Sequence, residues 1–463
     1  MKFPSYPKYK DSGVEWLGEV PEHWEIKRFK HFLLLNDGGT WGDLGDESDT
    51  LVLRSTEQSL DGSWKIDDPA YCILSNKEKA ECTLNEGDIV VTKSSGSSLH
   101  IGKSSLVDKN ISQLQACFSN FMQRLRFNKK FSPFFATHIL NSPTGRLQMV
   151  FNSSTTTGLA NLNGTTIGKI LVATPPLSEQ LTIATFLDAQ TAKIDTLVAK
   201  KRELIDMLKE KRAALITRTV TRGLPPDAAK AVGLDPNPRM KDSGVEWLGE
   251  VPEHWSHTRL KYACSHIVDC LHSTPKYSED GEYPAIRTAD VFPGKLCIEN
   301  AKMVSHEEYV ERVLRLKLEE DDIVYGREGE RYGYAALIPK GVTACLAQRM
   351  MHFRVDQRFF LSKFIMLSLN SMHCYMQASQ DVMGATAPHV NVETIRNYWI
   401  AEPPINEQQA ITDYLDRETT KHDQMTAKVE AAIERLQEYR SALITAAVTG
   451  KIDIREAHTG GTP

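Results

Sequence analysis

The stretch GSSLHIGKSS, Gly96 to Ser105, has the ingredients of a phosphate-binding loop: glycines, hydroxyls and a lysine, placed just after the apolar run DIVVT (88–92). Such a loop cradles phosphates with backbone N–H groups, and it needs four residues between its glycines. Here five intervene, Ser97 to Ile101, which changes where those N–H groups point. No acidic magnesium-binding strand accompanies it. The second half of the chain carries GREGERYGYAALI (326–338) after DIVYG (322–326), with no lysine after its glycine. A polar loop that follows a strand and differs between two halves explains both versions better than a nucleotide site kept in one half only. No G-x-G-x-x-G follows a strand, and no N-P-P-[YF] methyltransferase signature occurs. PDAAK (226–230) has the letters of a nuclease carboxylate–lysine set but sits in a proline-rich segment, where chance explains it. His23 and His254 have no nearby nucleophile or metal set and read as packed or surface histidines. Neither catalytic residues nor metal ligands are expected.

The same polar loops suit nucleic acid, which needs Lys or Arg for phosphates and Arg, Asn, Gln, Ser or Thr for base edges. In the first half the candidates are Lys93, Ser94, Ser97, Ser98, His100 and Lys103. The run NSSTTTGLANLN (152–163) adds Asn152, Thr155, Thr156, Asn161 and Asn163, and reads equally as a surface loop. In the second half they are Arg287 and Thr288 after YPAI, then Arg327, Arg331 and Tyr332, then Gln380, His389 and Asn391. Arg54 and Ser55 in LVLRSTEQ match Arg287 and Thr288. The net charge of −5 argues mildly against nucleic acid but does not exclude it, because binding needs only a local basic face.

The elements that hold these loops are duplicated. KDSGVEWLGEVPEHW (10–24) returns unchanged at 241–255. PPLSEQLTIATFLD (175–188) matches PPINEQQAITDYLD (403–416), 228 residues on, and RAALITRTVT (212–221) matches RSALITAAVT (440–449). EGDIVVTKSSG (86–96) matches EDDIVYGREGE (320–330) more weakly. Repeats this long mean duplicated domains, not a solenoid.

Each half ends in a long helix. Ser178 and Asn406 are expected as N-caps, and Asn406 with Gln409 as a capping box. Ile183, Leu187, Ile194, Leu197, Leu204, Leu208 and Leu215 form a heptad-like stripe, as do Ile411, Leu415, Met425, Val429, Leu436 and Leu443. Gly223 and Gly450 are expected to end the helices. Two such stripes are buried most economically against each other, though each could pack on its own domain. In an antiparallel pair, Trp16, Leu17 and Trp24, with Trp247, Leu248 and Trp255, would dock at two equivalent ends. Leu187, Leu197, Leu204, Leu415 and Leu436 would serve the scaffold. A recent duplication without functional constraint would leave the same two copies. Across 188–222 nine Lys/Arg stand against five Asp/Glu, a surplus that suits phosphates or a solvated face. LPPDAAKAVGLDPNPR (224–239) reads as a semi-rigid linker.

Composition places no obstacle: 463 residues, 41% hydrophobic and 25% charged, suffice for two or three domains. No apolar run approaches the roughly 18–20 residues of a membrane span, so no membrane is expected. The start MKFPSYPKYK lacks a signal core, and eight scattered cysteines form no C-x-x-C pair, so a cytoplasmic chain is expected.

The order of parts resembles the specificity subunit of type I restriction–modification enzymes. The resemblance is carried by both KDSGVEWLGEVPEHW copies, by PPLSEQ…FLD and PPINEQ…YLD, and by LITRTVTRG and LITAAVTGKID, and it covers nearly the whole chain. It implies an α+β fold with two duplicated globular target-recognition domains, separated by two long helices that form an antiparallel coiled coil with pseudo-twofold symmetry. The domains would run 1–174 and 240–402, with helices in 175–223 and 403–463 and a linker at 224–239. The resemblance further implies a non-catalytic subunit that reads an asymmetric, two-part site in double-stranded DNA. Two methyltransferase subunits would dock on it and bring S-adenosylmethionine; motor-nuclease subunits would bring ATP and magnesium. Inserting one heptad into the helices would change the spacing and leave the half-sites alone. The rivals are a coiled-coil adaptor that binds only proteins and an enzyme using the glycine-rich loop; changing Lys103 to alanine separates them.

Overall fold

The structure, a computed structural model, describes residues 3–97, 99–151, 153–156, 159–382 and 388–455. The chain divides into two compact units, residues 1–201 with 431–463, and residues 202–430. The division passes through both long helices, Leu177–Arg222 and Ile405–Val448, so each unit holds one part of each helix.

The first unit is built on an antiparallel sheet of β1 (Leu33–Gly38), β2 (Ile89–Thr92), β3 (Ser104–Leu106) and β4 (Met122–Phe127), in the order β3-β2-β4-β1. The second unit repeats it with β5 (Cys264–Asp269), β6 (Ile323–Gly326), β7 (Ala335–Leu337) and β8 (Met350–Val355), in the equivalent order β7-β6-β8-β5. Both faces of β2 are covered: Ile89 and Val91 join one core with Phe135 and Leu140, while Val90 joins another with Val52 and Phe118. That two-sided burial is why β2 and β6 read as unbroken apolar runs. Beside each central strand a buried carboxylate holds an arginine. Arg126 meets Asp88 at 2.6 and 2.7 Å in the first unit. In the second, Arg354 meets Asp322 at 3.0 and 2.8 Å, and His352 Nε2 lies 2.7 Å from the same carboxylate. Burial pushes the Asp322 carboxyl up, but the bonds from His352 and Arg354 outweigh it and hold the group at about 2.

Within the first unit the start of the first long helix lies against the end of the second, Ile183 and Leu187 packing in one core with Leu443, Ala447 and Val448. Asp195 there accepts from Arg440 at 3.0 Å. In the second unit Arg212 meets Asp423 at 3.0 Å. Asp195 and Asp423, like Arg212 and Arg440, occupy corresponding positions 228 residues apart, so each unit makes the same antiparallel pair. The stripe is right at the helix ends and shifts in the middle. Val198 and Ile205 are buried, whereas Leu197 is 43%, Leu204 39% and Met425 51% exposed. The cause is that about 3.6 residues per turn drifts against a strict heptad.

The helix starts differ from the expectation. They begin at Leu177 and Ile405, so Ser178 and Asn406 lie inside the first turn and do not cap it. The carbonyls of Pro176 and Pro404 take the first helical N–H bonds. Gln409 reaches Asp413 instead of forming a capping box. The ends agree: Gly223 and Gly450 adopt φ of +82° and +72°, the left-handed conformation that closes a helix. The linker is more structured than expected. Pro226–Ala231 is a short helix with Ala229 buried, Pro226 supplying a fixed φ at its first position.

The repeated fifteen residues are locked to the helix starts by the Glu–Gln dipeptide of PPLSEQ and PPINEQ. Buried Glu179 accepts from Tyr6 Oη at 2.7 Å and Trp24 Nε1 at 3.1 Å, with His23 Nε2 at 2.8 Å. Glu407 accepts from Trp255 Nε1 at 2.9 Å, with His254 Nε2 at 2.7 Å. Gln180 accepts from the Ser132 N–H and donates to the Pro175 carbonyl; Gln408 accepts from Leu361 and donates to Pro403. Leu17, Trp24, Leu248 and Trp255 are buried in these locks, as are Leu187 and Leu415 in the adjoining cores, so they serve their own unit. Leu436 and Trp247 are half-buried, and Trp16 is 39% exposed.

Candidate nucleic-acid interface

The loops after β2 and β6 each meet the segment that precedes a short helix, Gly164–Gly168 in the first unit and Val392–Arg396 in the second. In the first unit Ser94–Ser95 pairs with Leu159–Asn161, which pairs with Ser154–Thr156. In the second, the strand-type pairing among the described residues is a bridge between Glu328 and His389. The two polar runs singled out in each half therefore come together in space. Ser98 and Asn152 lie outside the described residues. Thr155 and Thr156 belong to the strand Ser154–Thr156.

Many of the candidates hold the domain instead of facing a ligand. Lys103 is 4% exposed and donates to the carbonyls of Ser55 and Gln58, each at 2.6 Å. Burial holds its ammonium below the usual lysine range, as does Arg146. It is an internal strut, so no ligand reaches it. Arg54 and Arg287 do correspond, as their sequences suggest, but each forks onto the acid three residues on. Arg54 reaches Glu57 at 3.0 and 2.8 Å, and Arg287 reaches Asp290 at 2.9 and 2.7 Å. Both close a 3-10 turn. Ser55 and Thr288 sit in those turns. Arg327 is 2% exposed, beside Asp269 at 3.2 Å and Glu328 at 3.3 Å. Arg331 donates to the Ala289 carbonyl and lies 4.4 Å over the Phe292 ring. Tyr332 is buried, stacked on Tyr375 and donating to its hydroxyl at 2.9 Å. Asn163 and Asn391, 228 residues apart, are N-caps of the two short helices.

The residues left facing outward are fewer. Ser94 donates to Asn161 at 2.9 Å, and Ser97 is exposed at the loop tip. His100 is half-buried. Gln380 is exposed on the helix Met372–Val382, and His389 sits 2.9 Å from Glu328.

The first unit also has an open groove of roughly 460 Å³ that the loop candidates did not include. Arg28, Lys30, Asn36, Gln123, Gly164 and Lys169 line it. Asn36 donates to the Gly164 carbonyl at 2.7 Å and accepts from Gln123 at 2.9 Å, which fixes both amides. The signal for it was the basic cluster KRFK (27–30), two residues after the repeated fifteen. Among the described residues no group of three or more His, Cys, Asp or Glu is placed to hold a metal ion. All eight cysteines are free. No helix among those residues is long and apolar enough to cross a membrane.

A family model described as the type I restriction modification DNA specificity domain matches residues 54–206 and again 269–435. The chain is 23% identical over 449 residues to the type I restriction enzyme MjaVIII specificity subunit of Methanocaldococcus jannaschii, covering 94% of each. It is 22% identical over 340 residues to the type I restriction enzyme EcoBI specificity subunit of Escherichia coli, covering 72% of this chain and 67% of that one. A solved chain from work on complex assembly and conformational transition of the type I R-M system matches with a TM-score of 0.61 and 14% identity. That match spans 93% of this chain and 98% of the other, and at such identity the likeness is one of fold.

Proposed function

The chain belongs to the type I restriction modification DNA specificity family, and on that premise we propose that it is a non-catalytic subunit reading an asymmetric, two-part site in double-stranded DNA. Each unit supplies one recognition surface. The observation that carries this reading is the duplicated frame with unlike loops: the Glu179 and Glu407 locks match, while the loops after β2 and β6 differ in sequence and in pairing. Identical frames place two surfaces in equivalent ways; different side chains on them select different bases. Two methyltransferase subunits would dock on the frame and bring S-adenosylmethionine, and motor-nuclease subunits would bring ATP and magnesium.

The test is methylome sequencing of a methylation-free host that carries the methyltransferase gene with and without this chain. A methylated split motif that appears only with the chain is the expected result and names both half-sites. Stable complex formation without any motif would overturn the DNA-reading role in favour of a protein adaptor.

A further inference from the structure

The two units differ in charge at one pair of corresponding positions. In the second unit Asp269, the last residue of β5, lies 3.2 Å from the Arg327 guanidinium, just after β6. In the first unit the same places hold Gly38, the last residue of β1, and Lys93, just after β2. Both strands pair in the same register, Gly38 opposite Gln123 and Asp269 opposite Met351. A Cβ added at Gly38 would lie 2.7 Å from Lys93 Nζ, so the ammonium stands beside the position from which the second unit projects its aspartate side chain. Lys93 is half-buried and its ammonium has no partner among the described residues; burial alone lowers it from the usual lysine range. A desolvated cation without a counter-charge is unfavourable, and an anion from outside would relieve it.

Gly38 lines the open groove of the first unit, which brings Lys93 to its edge, and three cations border that groove. Arg28, Lys30 and Lys169 are exposed and make no ion pair or side-chain hydrogen bond among the described residues. The one acid in the lining, Asp37, is already held by Arg124, Nε to Oδ1 at 3.0 Å. In the second unit the counterparts are tied down. Arg259 lies 3.7 Å over the Trp399 ring and donates to the Asn397 carbonyl, and Lys261 donates to Asn397 Oδ1 at 2.9 Å. Gly164 keeps the groove open, for a Cβ there would meet Asn36 Oδ1 and Gln123 Nε2, each at 2.9 Å. Val392 stands in its place in the second unit.

We infer that Arg28, Lys30, Lys93 and Lys169 of the first unit form a binding groove for the phosphate backbone of duplex DNA, whereas in the second unit the corresponding cations are taken up by internal pairing. The inference rests on the DNA-reading role proposed above. It adds that the two halves hold DNA unequally: the first by several unpaired cations, the second with Arg259, Lys261 and Arg327 already committed. Phosphate contacts position a protein without reading sequence, so the groove sets affinity and salt dependence and leaves the motif unchanged.

The test uses the full-length chain with its methyltransferase subunit and a duplex carrying the methylated motif, with affinity measured as a function of salt. Each phosphate contact contributes about 0.9 to the slope of log affinity against log salt. Replacing Arg28, Lys30 and Lys169 together by glutamine is expected to lower the slope by about 2.7 and to weaken binding on the order of 10²-fold near 0.1 M salt. The methylated motif should not change. Gly38→Asp gives Lys93 the internal partner that Arg327 has, and is expected to lower the slope by about one further contact. Glutamine at Arg259 and Lys261 is expected to leave the slope as it was. An unchanged slope in both the triple variant and Gly38→Asp would overturn the inference, as would an equal loss from the Arg259 and Lys261 changes. A wild-type complex that methylates no split motif would instead defeat the DNA-reading role itself.

Discussion

The lock at Glu179 and the lock at Glu407 are made of the same letters, yet they are not equally strong. Both carboxylates take a tryptophan indole and a histidine. Only Glu179 also takes the hydroxyl of Tyr6, whose place in the second half is held by Asn237. The Glu179 side chain is 7% exposed and the Glu407 side chain 14%. Copying a motif thus copies the geometry of a contact, while its strength depends on what the flanking, uncopied residues add.

The largest effect should come from removing these acids. Glu179→Ala leaves two buried donors, Tyr6 Oη and Trp24 Nε1, without an acceptor, removes the partner of His23, and should cost about 4 kcal/mol of stability in chemical unfolding. Glu407→Ala should cost roughly half of that, about 2 kcal/mol. Equal losses would show that Tyr6 contributes nothing. The carboxylates beside the central strands come next. Each of these carboxylates also accepts a backbone N–H, from Glu319 and from Asn85, but Asp322→Ala strands two side chains, His352 and Arg354, and should cost about 3 kcal/mol, against about 2 kcal/mol for Asp88→Ala, which strands one, Arg126. Asp322 also carries a pH signature. Its carboxyl ionises at about 2 in the fold, below the ordinary 3.8. The unfolded chain therefore binds that proton more readily, and the stabilisation is present above about pH 4 and lost as pH falls toward about 2. Acid unfolding should be shallower in that window for Asp322→Ala, and an unaltered profile would show that the pair does not govern acid stability.

The helix ends offer the smallest contrast. A methyl at Gly450 would lie 2.3 Å from Pro21 Cδ, whereas one at Gly223 would lie 3.5 Å from the Trp255 ring. Both changes meet the left-handed penalty of roughly 1 kcal/mol, but Gly450→Ala must also move the packed repeat. A melting temperature lowered more by Gly450→Ala than by Gly223→Ala is expected, and the reverse order would mean that Pro21 yields freely.

These contrasts also show what the sequence could disclose. The duplication and the two long helices were legible because identical letters recur at fixed offsets and apolar residues keep a helical period. The seam was legible at Leu187 and Leu415 but not at Leu197 and Leu204, since a seven-residue count loses the true face of a straight helix. That the two polar runs of the first half meet, through the pairing of Ser94–Ser95 with Leu159–Asn161, was not legible in the sequence. Which polar residues face outward was not legible. Lys103, Arg54 and Arg327 carry the letters of phosphate binders, and each is spent on a carbonyl or carboxylate inside the domain. Lys103 finds its carbonyls, and Arg327 the Asp269 carboxylate, 40 or more residues away, a distance at which single-letter reasoning has no purchase. The groove cations were missed because Arg28 and Lys169 are far apart in sequence and meet only in the fold.

The unpaired Lys93 has a consequence in covalent chemistry. An amine whose proton is loosened by burial holds more free base near neutral pH, and free base is the nucleophile toward acylating reagents. Brief treatment with an amine-acylating label should therefore mark Lys93 ahead of the exposed lysines Lys30 and Lys169, and bound duplex should shield all three. A single mass-spectrometric peptide map then reports occupancy of the groove without any measurement of affinity, and labelling of Lys93 no faster than of Lys30 would mean that its amine is as protonated as any at the surface.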